Sequence, residues 1–531
     1  MTRIGPVGTF LVLVACLLTS ACSPPVLDGV EPATGYPRQL LAVNSDALGA
    51  SVVWDVGLPT EQTIANGVVT TSYFQIPAGA TPGTHPVALR NSKGTSASQN
   101  VTVLAPSGNF PAPRIESIDV LRDTPPDESA GSSRTLLLTV AAANMDVDAT
   151  IALTNTGTLT CYQWGAIPLN FQQVHTPATF AYPVYHYEQK VCRFENAPES
   201  GPITVTVTNS DGQAHSRDYL VLPPSALDSD GDGLMDTVEQ SNLGGLDLPK
   251  MGADPEHKTI FVEVDWTNVS VPNVNDWATL EAAFADAPVL NPDGTRGITL
   301  IIDRGQDAGQ PGGLFTKGGE LLPAHSTMDF GASSALGYKN FFDYKSAHFD
   351  SQRLPIFHYA VIGVALPNGS SGRGEIWGND FMVTFATFAK WGSSAAESAT
   401  FMHELGHNLG LRHGGLVDDT PQNNETRKPN FASTMNYRYQ FPLVSIDCNF
   451  VSDNVLTYSQ GILTPVTESS VTETAGICDN APLDMNGDMM ISVASLAIDT
   501  NSDGDRADTH QDLDQWGNLK MSLTGSGWKG N

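Results

Sequence analysis

The sequence has few charged residues, and few of those are basic. Charged residues make up 16% of the 531 residues, and 27 Lys and Arg stand against 57 Asp and Glu, which gives a formal net charge of −30. Because nucleic acids are bound through clustered Lys and Arg, this balance argues against a nucleic-acid partner. The length exceeds what one hydrophobic core accommodates and suggests about three domains.

Long hydrophobic runs are also scarce. The apolar run at residues 10–18 follows Arg3 and precedes small residues up to Ala21 and Cys22. It is too short to span a bilayer and is typical of an export signal, here residues 1–21. Two cleavages fit: a lipoprotein signal would leave Cys22 lipidated, and ordinary cleavage would follow Ala21. We therefore expect a secreted or cell-surface protein, with a bacterial outer-membrane lipoprotein as one alternative and a lipid on Cys22 as the link to the membrane.

Cysteine is rare, with six residues in the whole chain. One belongs to the export signal, and Cys22 is the candidate for lipidation. The other four form two pairs that are close in sequence. In an exported protein such pairs favour local disulfides, and we predict Cys161–Cys192 and Cys448–Cys478.

The first 223 residues contain short alternating apolar runs separated by turns rich in Gly, Pro and Asn. This spacing predicts two all-β sandwiches, at residues 22–106 and 112–223. Residues 30–35, 76–84 and 100–104 of the first one resemble immunoglobulin-like IPT/TIG modules. We favour a spacer role for both sandwiches over the alternative of substrate or surface binding.

An acidic segment at residues 224–246 follows the sandwiches. Oxygen-bearing side chains occupy positions 1, 3, 5, 9 and 12 of a twelve-residue loop with glycine at position 6, namely Asp228, Asp230, Asp232, Asp236 and Glu239. This is the spacing of an EF-hand calcium loop, because Ca²⁺ is held by six to eight oxygens on a tight turn. A solvated acidic linker is the alternative.

A second acidic run lies near the C-terminus. Oxygen ligands alternate at Asp499, Asn501, Asp503 and Asp505, but His510 stands where an EF-hand loop would have its final glutamate. We predict that this run also binds calcium and stabilises an acidic C-terminal extension.

From residue 247 onward, strand patterns alternate with helical ones and predict an α/β domain. The predicted strands include residues 259–266, 297–303 and 358–365, with residues 380–385 as an edge strand. A helix predicted over residues 395–411 carries His403, Glu404 and His407. Histidines at i and i+4 project from one helix face, close enough to bind one Zn²⁺. Glu404 then flanks the metal as a general base for the attacking water.

Two residues beyond this pair complete the motif. Gly410 can adopt a positive φ, end the helix and turn the chain so that His413 becomes a third ligand. Three nitrogen ligands leave one coordination position open, which is the arrangement of a catalytic zinc site.

The run from His403 to His413 has the form HExxHxxGxxH, and Met435 lies in a turn downstream. In both features the chain resembles the metzincin clan of zinc metalloendopeptidases. The resemblance implies that Met435 forms a hydrophobic floor below the histidines. It also implies that Tyr437 stabilises the oxyanion, although a core aromatic is the alternative. Gly414 matches no major subfamily, so no subfamily specificity is implied.

The sequence thus predicts a multidomain protein with two immunoglobulin-like sandwiches, followed by an α/β metzincin-like catalytic domain at residues 247–531 with calcium loops. We expect a monomeric extracellular endopeptidase that uses Zn²⁺ for catalysis and Ca²⁺ for structure, and that acts on protein or peptide substrates. The alternative is a calcium-dependent surface adhesion protein in which the metzincin fold is inactive or secondary.

Overall fold

The computed structural model describes residues 24–523 with internal gaps. The longer gaps are 36–39, 46–50, 61–69, 105–111, 125–132, 164–188, 268–273, 330–338, 385–393, 417–424 and 442–454. The predicted export signal, Cys22 and Cys448 lie outside the described residues. Among the helices in the described ranges, none has the length and apolarity that a bilayer crossing requires.

Two sheets pack face to face at the N-terminal end and form the first sandwich. One sheet has the order β1-β3-β6, and the other has the order β2-β9-β7-β4-β5 with β8 beside β7. Alternate residues of both sheets, such as Leu41, Val52 and Val101, meet in one buried cluster. The strands are β1 Leu27–Glu31, β2 Thr34–Gly35, β3 Leu40–Ser45, β4 Ser51–Trp54, β5 Leu58–Thr60, β6 Thr70–Gln75, β7 Gly83–Asn91, β8 Gly94–Thr95 and β9 Gln99–Val103. The prediction of a β-sandwich is confirmed here.

A second sandwich follows, with sheet orders β10-β11-β14-β13 and β12-β15-β16. Its strands are β10 Arg114–Thr124, β11 Thr135–Ala143, β12 Thr150–Leu153, β13 Thr158–Gln163, β14 Gln189–Glu195, β15 Gly201–Thr208 and β16 Ala214–Val221. Cys161 and Cys192 are directly opposed on β13 and β14 and form the predicted disulfide. Cys478 is also disulfide-bonded, but its predicted partner Cys448 lies outside the described residues.

The remaining chain is built around a mixed sheet of order β20-β19-β24-β26-β25, in which β25 is antiparallel to its neighbour. Its regular elements are α1 Asp236–Glu239, β17 Asn242–Leu243, β18 Leu246–Asp247, α2 Leu248–Met251, β19 Thr259–Thr267, α3 Val274–Ala285, β20 Thr299–Asp303, β21 Leu321–Leu322, β22 Met328–Asp329, β23 Lys339–Asn340, α4 Phe341–His348, β24 Phe357–Gly363, β25 Gly372–Gly374, β26 Asp380–Thr384, α5 Ser394–Asn408, β27 Leu411–Arg412, β28 Gly415–Leu416, β29 Val466–Thr467 and β30 Thr509–His510. Short 3-10 turns lie at Ser351–Arg353, Glu468–Ser470 and Trp516–Asn518.

Helices cover both faces of this sheet. Helices α3 and α5 pack on one face, where Phe284 and Leu405 join Val262 of β19 in a buried cluster. Helix α4 packs on the other face with Phe261, because successive residues of a strand point to opposite sides. The prediction that residues 380–385 form an edge strand is wrong: β26 lies between β24 and β25, and β25 is the last described strand on that side of the sheet.

The second sandwich shares a core with the mixed-sheet region. Tyr219 and Val221 of β16 belong to the same buried cluster as Phe341 and Phe342 of α4. Arg114 forms an ion pair with Asp343 across this boundary. Among the described residues, in contrast, the buried cluster of the first sandwich contains residues of that sandwich alone. The two sandwiches therefore differ in how they are attached to the rest of the chain.

Candidate active site and metal centres

Helix α5 places His403, Glu404 and His407 at the edge of the mixed sheet. The helix ends at Asn408, and Gly410 has φ +81. A Cβ on Gly410 would meet the Lys520 side chain at 2.7 Å, so both the backbone angle and the space require glycine. The chain then forms the β27–β28 hairpin, whose turn carries His413.

The three histidines converge. One ring nitrogen of each lies within 4.8 Å of one from each of the others, and the Nε2 atoms of His403 and His407 are 3.2 Å apart. Nδ1 of His403 donates to the carbonyl oxygen of Thr434, and Nδ1 of His407 donates to that of Leu411, both at 2.8 Å. Because a carbonyl accepts only, both Nδ1 atoms carry the proton and both Nε2 lone pairs face the shared space.

Burial sets the protonation of these rings. It lowers the pKa of His403 to about 4 and lowers the pKa of His407 and His413 well below the ordinary value, so all three are neutral at pH 7. Nε2 of His413 is buried and has no hydrogen-bond partner within the described residues. Neutral imidazoles with lone pairs facing one another fit a Zn²⁺ ion, which binds nitrogen ligands of this kind.

Glu404 is buried beside the histidines. Its Oε2 has no hydrogen-bond partner in the part of the chain that the structure describes. Its side chain lies against the backbone of β25, since a Cβ on Gly372 would be 2.5 Å from Oε1. Burial raises the pKa of Glu404 well above its usual range, and the charge of Arg373 opposes this shift. The carboxyl group is thus able to hold a proton.

The segment after the helix covers the histidines from another side. Met435 is fully buried, and a Cβ on Gly406, which lies between the two helical histidines, would be 2.5 Å from its sulfur. The ring of Tyr437 is 4.3 Å from that of His413 and 5.6 Å from that of His403, with 43% of the residue exposed. Tyr437 therefore borders both the histidines and solvent.

The C-terminal segment around Gln515 forms hydrogen bonds with the chain on either side of His413 and with the segment that carries Met435. The amide of Gln515 donates to the carbonyl oxygens of Arg412 and Gly415, which flank the turn carrying His413. Its Oε1 accepts from Oγ of Ser433 at 2.5 Å, just before Met435. The extension is therefore part of the wall that holds the third histidine.

The acidic loop before α1 is held in a tight turn by hydrogen bonds from its own backbone to its carboxylates, and one further hydrogen bond attaches it to β19. Carboxylate oxygens of Asp228, Asp230 and Asp232 lie within 4.8 Å of one another, and Asp232 accepts from the backbone N of Thr259 at 2.8 Å. Both carboxylate oxygens of Glu239 are buried without a hydrogen-bond partner among the described residues. These groups fit Ca²⁺, because buried, mutually repelling carboxylates need a cation.

Asp236 and Glu239, the last two predicted ligands, are not members of the three-carboxylate cluster, and Asp236 is bonded to the start of the loop. Its two carboxylate oxygens accept from the backbone N and the hydroxyl of Ser229, both at 2.8 Å. It therefore joins the two ends of the loop, and the three-carboxylate cluster forms without it.

Glu239→Gln is expected to change stability in opposite directions with and without calcium. At calcium concentrations about 1,000 times the Kd, bound Ca²⁺ contributes about 4 kcal/mol, so losing this ligand should lower Tm by about 5 °C. In EGTA near neutral pH the variant should melt higher than the parent protein, because burial raises the pKa of Glu239 to about 9 and the carboxyl group must take up a proton on folding, whereas glutamine needs none. Thermal melts in both buffers test this, with exposed Glu256→Gln as the control. Equal melting temperatures of variant and parent in both buffers would contradict the assignment of Glu239 as a calcium ligand.

The calcium-free protein should also lose stability as pH rises. Burial and the neighbouring Asp232 raise the pKa of Glu239 to about 9, and burial with Asp230 raises that of Asp232 to about 7. Because the pKa of each group is higher in the folded state than in the unfolded state, protonation of these groups stabilises the folded state at low pH. This contribution to the free energy of unfolding disappears as pH rises towards 9. Urea unfolding in EGTA between pH 5 and 9 should show the decline. If stability declines equally with pH in saturating calcium, the decline belongs to groups other than Glu239 and Asp232.

The second acidic run makes the same kind of turn. The backbone N atoms of Ser502 and Gly504 donate hydrogen bonds to the Asp499 carboxylate at 2.7 and 3.0 Å. In the first loop, Gly231 and Gly233 donate to Asp228 in the same way, from the same two positions relative to the aspartate. Of the four predicted residues, Asp505 is the one whose carboxylate converges with two other acids, Glu468 and Asp508. Neither of these two was predicted from the sequence.

Comparisons with known proteins give no argument about this chain. No family model matches the chain, and no curated protein does. Among solved structures, the chain is similar to the N-terminal Ig1-2 module of the Drosophila receptor protein tyrosine phosphatase DLAR, at 14% identity over 38% of this chain and 100% of that one, with a TM-score of 0.17. It is also similar to the Bacteroides ovatus SGBP-B protein from a mixed-linkage glucan utilization locus, at 14% identity over 38% of this chain and 47% of that one, with a TM-score of 0.16. TM-scores this low support no argument about fold or function.

Proposed function

We propose that the protein is an extracellular zinc-dependent endopeptidase. The observation that carries this is the convergence of three neutral imidazoles, His403, His407 and His413, beside the buried carboxyl group of Glu404. The metzincin-like spacing of the motif and the buried methionine against Gly406 support the same class.

In this proposal the three histidines hold Zn²⁺, which supplies Lewis acidity that polarises the scissile carbonyl and lowers the pKa of water. Glu404 takes a proton from the attacking water and passes it to the leaving amine. Tyr437, which borders His413, donates its hydroxyl to the developing oxyanion.

The edge strand favours a peptide as the substrate. Strand β25 pairs with β26 alone among the described strands, and Gly372 of β25 touches the Glu404 side chain. An extended peptide that adds to a sheet edge forms backbone hydrogen bonds without regard to sequence. A peptide bound along β25 would carry a peptide bond past Glu404.

The other parts of the chain take supporting roles in this proposal. Calcium at the loop of Asp228 stabilises the junction between the second sandwich and the catalytic domain. The protein acts on protein or peptide substrates as a monomer, outside the cell or at its surface, with or without a lipid on Cys22.

A zinc and hydrolysis assay tests the proposal. The protein should bind one Zn²⁺ per chain and cleave casein, with activity lost to 1,10-phenanthroline and restored by added zinc. His413→Ala should lower zinc affinity at least about 10²-fold and abolish cleavage, while His325→Ala, outside the cluster, should match the parent protein. Zinc binding and cleavage that survive in His413→Ala would refute the assignment.

A further inference from the structure

Glu468 is a buried glutamate whose charge is only partly matched. It begins the 3-10 turn Glu468–Ser470 and is fully buried. Its Oε1 accepts from the backbone N and hydroxyl of Thr500, at 2.6 and 2.8 Å, and contacts Nε2 of His510 at 3.2 Å. Its Oε2 is buried and has no hydrogen-bond partner in the described ranges. An interior carboxylate oxygen in this state needs a further partner.

Two more carboxylates approach Glu468. Glu468, Asp505 and Asp508 each place one carboxylate oxygen within 4.8 Å of the others. Like charges at this separation repel unless a cation lies between them. Three carboxylate oxygens from separate positions form a hard ligand set of the kind that Ca²⁺ prefers.

The ligand set differs from the alternating run in the sequence. Asp499 and Asn501 use side-chain oxygens to accept from the backbone of their own loop. They shape the turn that delivers Asp505, and Glu468 approaches from more than thirty residues earlier in the chain. A cation here would therefore join two distant segments.

The loop that begins at Asp499 also forms hydrogen bonds with two segments that hold Tyr437. Nη1 of Arg438 donates to the carbonyl oxygen of Thr500 at 2.7 Å. Nδ2 of Asn501 donates a hydrogen bond to the Glu425 carboxylate at 2.7 Å. The next residue, Thr426, accepts a hydrogen bond at its carbonyl oxygen from the backbone N of Tyr437 at 2.9 Å. Tyr437 thus lies between two attachments to the loop.

We propose that Glu468, Asp505 and Asp508 bind a calcium ion separate from the one at the Asp228 loop, and that this ion holds Tyr437 beside the histidines. The binding site follows from the carboxylate geometry. Its effect on catalysis rests on the proposed peptidase function.

Calcium titration of the full-length, zinc-loaded, calcium-stripped protein by isothermal calorimetry tests the site. Glu468→Gln and Asp508→Asn should each bind one Ca²⁺ fewer than the parent protein, and Glu256→Gln should bind the same number. Asp508 lies nearer the surface, so Asp508→Asn decides the question if Glu468→Gln does not fold. An unchanged stoichiometry in the folded variants would overturn the site.

Peptidase kinetics test the coupling. Tyr437→Phe should lower kcat by about 10²-fold, the effect of losing one oxyanion donor. Glu468→Gln should lower kcat with little change in KM, and should add no further loss in the Tyr437→Phe background. Equal losses in both backgrounds would overturn the role through Tyr437. A parent protein without peptidase activity would refute the proposed function, and the calcium stoichiometry would still decide the site.

Discussion

Glu404→Gln is expected to lower kcat/KM for peptide hydrolysis by about 10³-fold while leaving one Zn²⁺ per chain. The amide keeps the shape of the carboxyl group but cannot take a proton, and general acid–base catalysis contributes about 10² to 10⁴-fold. The three histidines lose no contact, so metal content should not change. Kinetics and metal analysis on the same preparation measure both quantities. Parent-level activity in the zinc-loaded variant would exclude Glu404 as the base.

Gly372→Ala is the companion variant, because it alters the position of the Glu404 carboxyl group and leaves its chemistry intact. The added methyl group would lie 2.5 Å from Oε1, so the side chain or β25 must shift. We expect kcat to fall by about 10 to 10²-fold at unchanged zinc content, since small displacements of a catalytic group have costs of this order. Ser371→Ala, one residue earlier, is the control. Full activity in Gly372→Ala would show that β25 does not position Glu404.

A fragment of residues 224–531 is expected to fail to fold, whereas residues 112–531 should fold. Cutting at residue 223 removes Tyr219 and Val221 from the cluster that contains Phe341 and Phe342, and exposes that apolar surface. The boundary is therefore a shared core, unlike a flexible linker between domains. Soluble expression, circular dichroism and thermal melts of both fragments measure the difference.

Deletion of the first sandwich provides the matched control for that experiment. Within the part of the chain that the structure describes, its buried cluster contains its own residues alone, so the chain without residues 24–106 should melt like the full-length protein in its remaining parts. A cooperative melt of residues 224–531 at the temperature of residues 112–531 would contradict the shared core.

Local patterns in the sequence were sufficient for the helical part of the candidate site. The i, i+4 histidines and the glycine after them depend on helix geometry and on one backbone angle, and Gly410 has the positive φ that its position requires. Apolar strands were also predictable, since β19 and β24 are buried on both faces and consist mostly of hydrophobic residues.

Features that depend on distant segments could not be predicted in this way. Strand β25 has three residues, two of them glycine, and so shows no apolar alternation. Glu468 and Asp508 lie outside any regular spacing of ligands. The core shared by Tyr219 and Phe341 joins segments more than a hundred residues apart, and neither segment carries a sign of its partner.

The hydrogen bonds from Gln515 to Arg412 and Gly415 span about a hundred residues of sequence, and Lys520 N donates to the carbonyl oxygen of Leu409 at 2.8 Å. A ribosome must therefore add residue 520 before the hairpin of the third histidine has all its partners. In an exported protein the hairpin that carries His413 would lack these partners until the segment around residue 520 has crossed the membrane, which would delay catalytic competence until then. Zinc affinity of a chain ending at residue 510, if equal to that of the full length, would disprove the delay.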